Sequence, residues 1–247
     1  MDLTALPLVS TLIDLTHSGL LALIALLSPV TGPLAPALAI VLVTLVVRAG
    51  LIPAGIAQAR AEQTRARLAP RIRELQKRHR KDPERLQRET MNLYRAEGAS
   101  PLAGCLPLLI QAPVVGLLYS VFLHRMIDGH ANELLTQTLA GVPLGTSLAG
   151  AVSSGTADPA TWLVIGTLVV AIALVGELTR RLFRAPATAG PAGPAPTVPP
   201  ALVGMLQFAT AVVAAFVPLA AGIYLLVTVA WTLGQRLALR RIFPPVP

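Results

Sequence analysis

Between Ala201 and Gly234 no side chain carries a charge, and an apolar run of that length has few places to go. A helix crossing the hydrocarbon core of a bilayer needs about 20 such residues, so this run is too long for one crossing. Both of its flanks are basic, Arg184 before it and Arg236, Arg240 and Arg241 after it. Basic flanks stay on the cytoplasmic side, so the run must turn back on itself. The turn is expected at Pro218, which lacks the N–H that a helix interior needs. Three further apolar stretches, Leu34 to Gln58, Leu102 to Leu123 and Thr161 to Leu178, bring the number of crossings to five. With 54% hydrophobic and only 13% charged residues, against roughly 25% charged in a soluble domain, the chain is expected to be an all-α polytopic membrane protein. Its spans are placed at 34–58, 102–124, 160–180, 201–217 and 218–240.

Lys and Arg set the orientation. Of the 20 in the chain, 12 lie between Gln58 and Ser100, three between Arg180 and Arg184, and three after Gln235. None precedes Arg48, and the loop from His124 to Ala160 holds only Arg125 against Asp128, Glu133 and Asp158. The N-terminus is therefore expected outside and the C-terminus, with its tail 241–247, in the cytoplasm. That arrangement makes 125–159 an external loop. The formal charge of +8 becomes a matter of topology and membrane surface before it concerns nucleic acid. Met1 to Leu27 has Asp2 and Asp14 but no Lys or Arg, so no cleavable signal is expected. Within an external segment 1–33, Leu6 to Leu27 is read as an amphipathic helix on the outer surface, since Asp14, His17 and Ser18 interrupt it. Cys105, the one cysteine, excludes an internal disulfide and suits apolar packing.

Residues 59–101 read as a basic helical hairpin, with Leu68, Ile72 and Leu75 striping one helix and Leu86, Leu93 and Tyr94 the other. Asp82 is a suitable N-cap, Pro83 suits the first helical position, and Gly98 followed by Pro101 ends the second helix. The pairs Glu74–Arg78, Glu84–Arg88 and Arg85–Glu89 stand one turn apart, which suits an exposed helix. Such a hairpin either fixes topology or offers a docking surface. In the cytoplasmic loop 181–200, the proline-rich "APATAGPAGPAPTVPP", Ala185 to Pro200, is expected to be an extended tether.

Nucleotide and hydrolase motifs are absent from the sequence, and His17, His79, His124 and His130 never cluster at metal-ligand spacing. No cofactor is expected. "SSGTAD", Ser153 to Asp158, reads as a linker. Arg48 stands apart. At about 1.5 Å per residue it lies roughly 21 Å from Leu34 and about 15 Å from Gln58, which places it near mid-membrane. Lipid exposure there costs upwards of about 2.5 kcal/mol, and no carboxylate stands at matching depth, because Glu177 belongs beside Arg180 at the interface. The inexpensive solution is a hydrated groove open to the cytoplasm, in which Arg48 faces Thr44, Gln111, Gln207 and Thr228. A hydrated cation without a permanent counter-ion attracts anions, which leaves two readings: a transporter for an anionic solute, or a module that handles other chains.

Three blocks carry a resemblance. "TLVVRAGLIP" (Thr44 to Pro53), "DPERLQRETMNLYRAEGASPLAGCLPLLIQAPVVGLLYSVF" (Asp82 to Phe122) and, more weakly, "PLAAGIYLLVTVAWTLGQR" (Pro218 to Arg236) resemble the YidC/Oxa/Alb family of membrane protein insertases. The resemblance implies a plasma-membrane insertase of the type without a large periplasmic domain, acting on nascent membrane proteins within the lipid bilayer. It matches Arg48 to an arginine in a groove sealed from the outside, and Tyr224 and Trp231 to an apolar slide on the fifth span. It implies the ribosome and the Sec translocon as candidate partners of the hairpin, and a chaperone that folds without inserting as a variant activity. Specific nucleic-acid binding is not expected, the tail basic residues being few. The third block departs from the family pattern at Ala220, Leu225 and Val229, and Ser100 replaces a common asparagine.

Overall fold

The computed structural model describes residues 7–98, 106–124, 126–127, 130–183 and 208–242. Helix α1 (Pro7–Thr31) ends at Gly32, whose φ of +54° is the left-handed conformation that glycine adopts without strain. A 3-10 turn (Gly32–Leu34) leads into α2 (Ala35–Gly50), and α3 (Ile52–Arg78) and α4 (Pro83–Ala96) follow. After α5 (Leu106–Leu123) come a two-stranded ladder (β1, Met126–Ile127; β2, His130–Ala131), α6 (Glu133–Thr136), a second ladder (β3, Thr138–Leu139; β4, Val142–Pro143) and α7 (Leu148–Ser153). Three helices complete the described chain: α8 (Pro159–Leu182), α9 (Ala209–Phe216) and α10 (Leu219–Ile242). The protein is mostly helical. Among the described residues, three helical stretches are long and apolar enough to cross a membrane: Thr11–Gly50, Pro159–Leu182 and Leu219–Ile242.

The packing is apolar on both sides of the helix surfaces. Ala39 and Ile40 of α2, Val121 and Phe122 of α5, Ile165 and Ile172 of α8, and Leu219 to Ala221 of α10 form one buried core. Yet Val46, Leu163, Leu174 and Phe216 stand 64–71% exposed on the outside. In water such a surface would aggregate; in lipid it is the expected one, because hydrocarbon is as apolar as leucine. Without a hydrophobic force between helices, close approach of small residues does the holding. Gly222 is one such place, since a Cβ there would meet Leu168 Cδ2 of α8 at 2.5 Å. Gly222→Ala should displace only the leucine tip and cost under about 1 kcal/mol, whereas Gly222→Leu should cost about 1–3 kcal/mol by overpacking. Thermal unfolding of the detergent-solubilised variants checks the order, and equal losses would refute the contact.

Three departures from the sequence-based expectations have physical causes. The expected first span 34–58 is not one helix: it breaks at Leu51, because Pro53 offers no N–H to the carbonyl four residues back, and Leu51 N–H donates to the carbonyls of Val47 and Ala49 instead. Helix α3 thus begins inside the expected span, seven residues ahead of the expected hairpin. The N-terminal helix is also longer than 6–27, and Ile13, Leu20 and Ile24 bury one face of it in the bundle core, against α2 and α5. The segment 125–159, expected only as a loop, is folded where it is described, with Leu134, Val142 and Leu144 buried in the same core.

Asn132 organises that segment. Its side-chain amide donates to the carbonyls of Val121 (2.7 Å) and His124 (2.9 Å) at the C-terminal end of α5, and its Oδ1 accepts from Leu134 N–H to start α6. The N–H groups of Leu219 and Ala220, otherwise orphans at the start of α10, donate to the carbonyls of Thr146 and Leu144 at 2.9 and 3.0 Å. Between α9 and α10 the chain is extended at Val217, beside Pro218. "SSGTAD" is structural: Ser154 Oγ donates to the Gly150 carbonyl, and Asp158 caps α8 by accepting from Thr161 N–H at 2.7 Å. Hydrogen bonds from the Thr161 side chain and backbone hold the Asp158 carboxyl below its ordinary range. That contribution is therefore present above the unfolded-state pKa and fades as pH falls through the folded one.

In the hairpin, Asp82 accepts from Arg85 N–H at 2.9 Å and Pro83 opens α4. Leu68 of α3 and Tyr94 of α4 are buried. Glu97 bridges back to Arg67 (3.3 Å) and Arg71 (2.5 Å), and of the three expected helical pairs Glu84–Arg88 forms, at 3.5 Å. Exposed bridges of this kind contribute about 0–1 kcal/mol each. Cys105, Ser100, Asp128, Gln207 and the tether 185–200 lie outside the described residues.

Candidate functional site

Helix α10 carries Tyr224, Thr228, Trp231 and Gln235, spaced by four, three and four residues, which places them on one face. The face is fastened at two heights. Near its upper end the Tyr224 side chain stands beside the Arg48 side chain of α2, close enough to interact with the guanidinium. Near its lower end the Gln235 amide lies against Gly55 of α3, so closely that no Cβ would fit there. Eleven residues at about 1.5 Å each separate Tyr224 from Gln235, so the polar seam between α10 and the α2–α3 arm runs about 16 Å.

Arg48 sits in the last turn of α2, half-buried. A cation is favoured there, because the carbonyls that end a helix leave a partial negative charge. The break at Leu51 puts that helix end three residues beyond Arg48, within what a continuous span would have covered. The nearby group that the structure describes is neutral, the Tyr224 phenol. Tyr224 itself is only 3% exposed, with its ring centroid 6.1 Å from that of Phe122. It is thus packed inside the bundle, near Arg48.

The remaining expected residues divide. Thr44 is buried beneath Arg48, but its hydroxyl donates to the Ile40 carbonyl of its own helix at 2.6 Å and is spent there. Thr228 Oγ1 is buried with no hydrogen-bond partner among the described residues. Trp231 is half-buried and its Nε1–H donates to Gln235 Oε1 at 3.2 Å. Gln111 is described in its backbone alone, within α5, and Gln207 lies outside the described residues. Gln235 was not among the expected residues, although its place in the α10 spacing was the available signal. Its Nε2 is also buried without a hydrogen-bond partner among the described residues. An unmet buried donor or acceptor costs about 1–3 kcal/mol, so Thr228 and Gln235 both call for a polar occupant between them.

A cation, a phenol, a hydroxyl and an amide in one row can hold carboxylates or peptide groups of an extended polar segment. Among the described residues no group of His, Cys, Asp and Glu is placed to hold a metal ion.

Comparison with known proteins gives a consistent result. The family described as "60Kd inner membrane protein" matches residues 26–245. Similar proteins include the membrane protein insertase YidC of Clostridium perfringens, 46% identical over 83 residues, which are 34% of this chain and 35% of the relative. The YidC of Oceanobacillus iheyensis is 41% identical over 86 residues, 33% of this chain and 34% of the relative. That of Granulibacter bethesdensis is 41% identical over 93 residues, 38% of this chain but 16% of the relative. The chain therefore spans about a third of the length of the shorter of these relatives and less than a fifth of the longest.

Proposed function

Because this chain belongs to the 60Kd inner membrane protein family, the YidC/Oxa group, we propose that it inserts and helps to fold integral membrane proteins. The observation that carries the reading is the polar seam: Arg48 beside Tyr224, with Thr228 and Gln235 further along the same face of α10. A polar or acidic tail entering the seam would exchange water for these groups, while the apolar part of the same chain leaves sideways into lipid. The energy comes from that partition, about 25 cal/mol per Å² of apolar surface removed from water.

The reading includes five spans, with the N-terminus outside and the C-terminus and the α3–α4 hairpin in the cytoplasm of the cell. Charge supports it, since 12 of the 20 basic residues lie in or beside that hairpin. The hairpin would meet the substrate first, with the ribosome and the Sec translocon as its candidate neighbours. Cross-linking tests the seam. A photoreactive residue at position 48 should capture a nascent membrane protein during synthesis, and one at exposed Leu163 should capture far less. Equal yields at both positions, or none at 48, would remove Arg48 from the substrate path.

A further inference from the structure

The contact between Gln235 and Gly55 leaves one group unsatisfied. Trp231 Nε1–H donates to Gln235 Oε1 at 3.2 Å, and because an indole N–H can only donate, it fixes which end of the amide is oxygen. The other end, Nε2, is turned to Gly55 of α3 and is buried with no hydrogen-bond partner among the described residues. A Cβ on residue 55 would overlap that nitrogen, so the amide rests on the bare Cα of a glycine. Gly55 lies in the first turn of α3 and has no positive φ. Backbone conformation therefore does not require glycine at this position, whereas room for the amide does.

An amide nitrogen packed on carbon has given up its water and received nothing in exchange. Any acceptor offered to Nε2 would compete with the contact. The acceptor that every polypeptide carries is the backbone carbonyl, which is free in an extended segment and already paired in a helix. Position along the seam fits this exchange. Helix α3 runs on from Gly55 towards the basic hairpin, so a chain arriving from that side meets Gln235 before Thr228, Tyr224 and Arg48. Beyond Gln235, Arg240 stacks on the Phe183 ring at 4.0 Å and its Nη1 donates to the Leu182 carbonyl at 2.7 Å, which ties the last turns of α10 to α8. We propose that Gln235 is a latch across the mouth of the seam, resting on Gly55 until a backbone carbonyl of an entering extended segment accepts from its Nε2. The release step rests on the seam being the substrate path, as proposed above; the latch itself does not.

The test labels the full-length protein in proteoliposomes with a water-soluble maleimide, after Cys105, the one native cysteine, is replaced by alanine and Thr228 by cysteine. A buried thiol reacts only from the opened fraction, so the rate counts openings. Q235A should raise that rate about tenfold, G55A several-fold, and the two together no more than Q235A alone, because they remove one contact. Q235M separates a latch from plain packing. It covers Gly55 with a side chain of similar length and leaves no donor unpaired, so labelling should fall about fivefold below the wild type. A cysteine placed instead at exposed Lys81 should label at one rate in every background. Should Q235A fail to fold, G55A and Q235M still move the rate in opposite directions. Unchanged rates in Q235A and G55A would overturn the latch, as would Q235M labelling at or above the wild-type rate, or a rate at position 81 that moves with the rate at 228. For the release step, capture of a nascent membrane protein by a photoreactive residue at position 48 should fall about fivefold in Q235M and stay within about twofold in Q235A, which has nothing to unlatch. Equal capture in the wild type and Q235M would refute release by a carbonyl. Labelling involves no nascent chain, so its failure leaves the proposed function standing, and failure of that function leaves the latch standing.

Discussion

Arg48→Ala should reduce insertion of membrane proteins with acidic translocated tails by about tenfold or more, and leave those with uncharged tails within about twofold. The asymmetry follows from what is removed. One guanidinium in a half-buried seam attracts a carboxylate by roughly 1.4 kcal/mol or more, given that a close pair at an effective dielectric near 20 is worth up to about 4 kcal/mol before desolvation, and 1.4 kcal/mol is a factor of ten. An uncharged tail loses no such attraction. Arg48→Lys keeps the charge on a point ammonium without the planar fork and should fall between. Tyr224→Phe removes the phenol beside Arg48 but not the cation, so it should cost less than the alanine variant. Protease protection of substrates in proteoliposomes reads all four proteins. A uniform loss across substrates would mean that Arg48 is structural, and changed uptake of an anionic solute with normal insertion would favour a transporter.

Asn132→Ala should be the most damaging single change in the segment between α5 and α8, lowering stability by about 2–4 kcal/mol. Three hydrogen bonds leave together, and the carbonyls of Val121 and His124 and the N–H of Leu134 lose a partner in surroundings that are partly or fully buried. Asn132→Asp distinguishes the donors from the acceptor: it keeps the acceptor for Leu134 N–H, loses both donors, and sets a carboxylate against two carbonyls. It should be no better than alanine. Limited proteolysis between Ala131 and Ser154, together with thermal unfolding, measures the effect, and a loss below about 0.5 kcal/mol for both variants would show that the segment holds without Asn132.

Composition and periodicity reached the helical class and the long apolar helices, because long uncharged runs have few physical solutions. The cap of α4 was equally legible, since Asp82 and Pro83 act locally. What lay beyond reach depended on contacts between distant segments. Nothing near Asn132 announces that its amide ends α5, eleven residues earlier. Tyr224 reads as one more aromatic of an apolar helix until α2 is packed beside it. Gln235 looked like the polar end of a span, and only its spacing from Tyr224, Thr228 and Trp231 placed it on the seam. The break at Leu51 could have been inferred from Pro53, but the apolar run hid it: hydropathy measures length and is blind to a missing N–H.

The two fastenings of α10 have a mechanical consequence. Its first N–H groups are held by the carbonyls of Leu144 and Thr146, and its last turns are stacked on Phe183 and bonded to Leu182. A rod fixed at both extremities is a door jamb, unable to swing. Whatever widens the row from Tyr224 to Gln235 must therefore come from the opposite leaf, the α2–α3 arm, and its pivot is the interrupted ladder at Leu51, three residues from the charge it would carry aside.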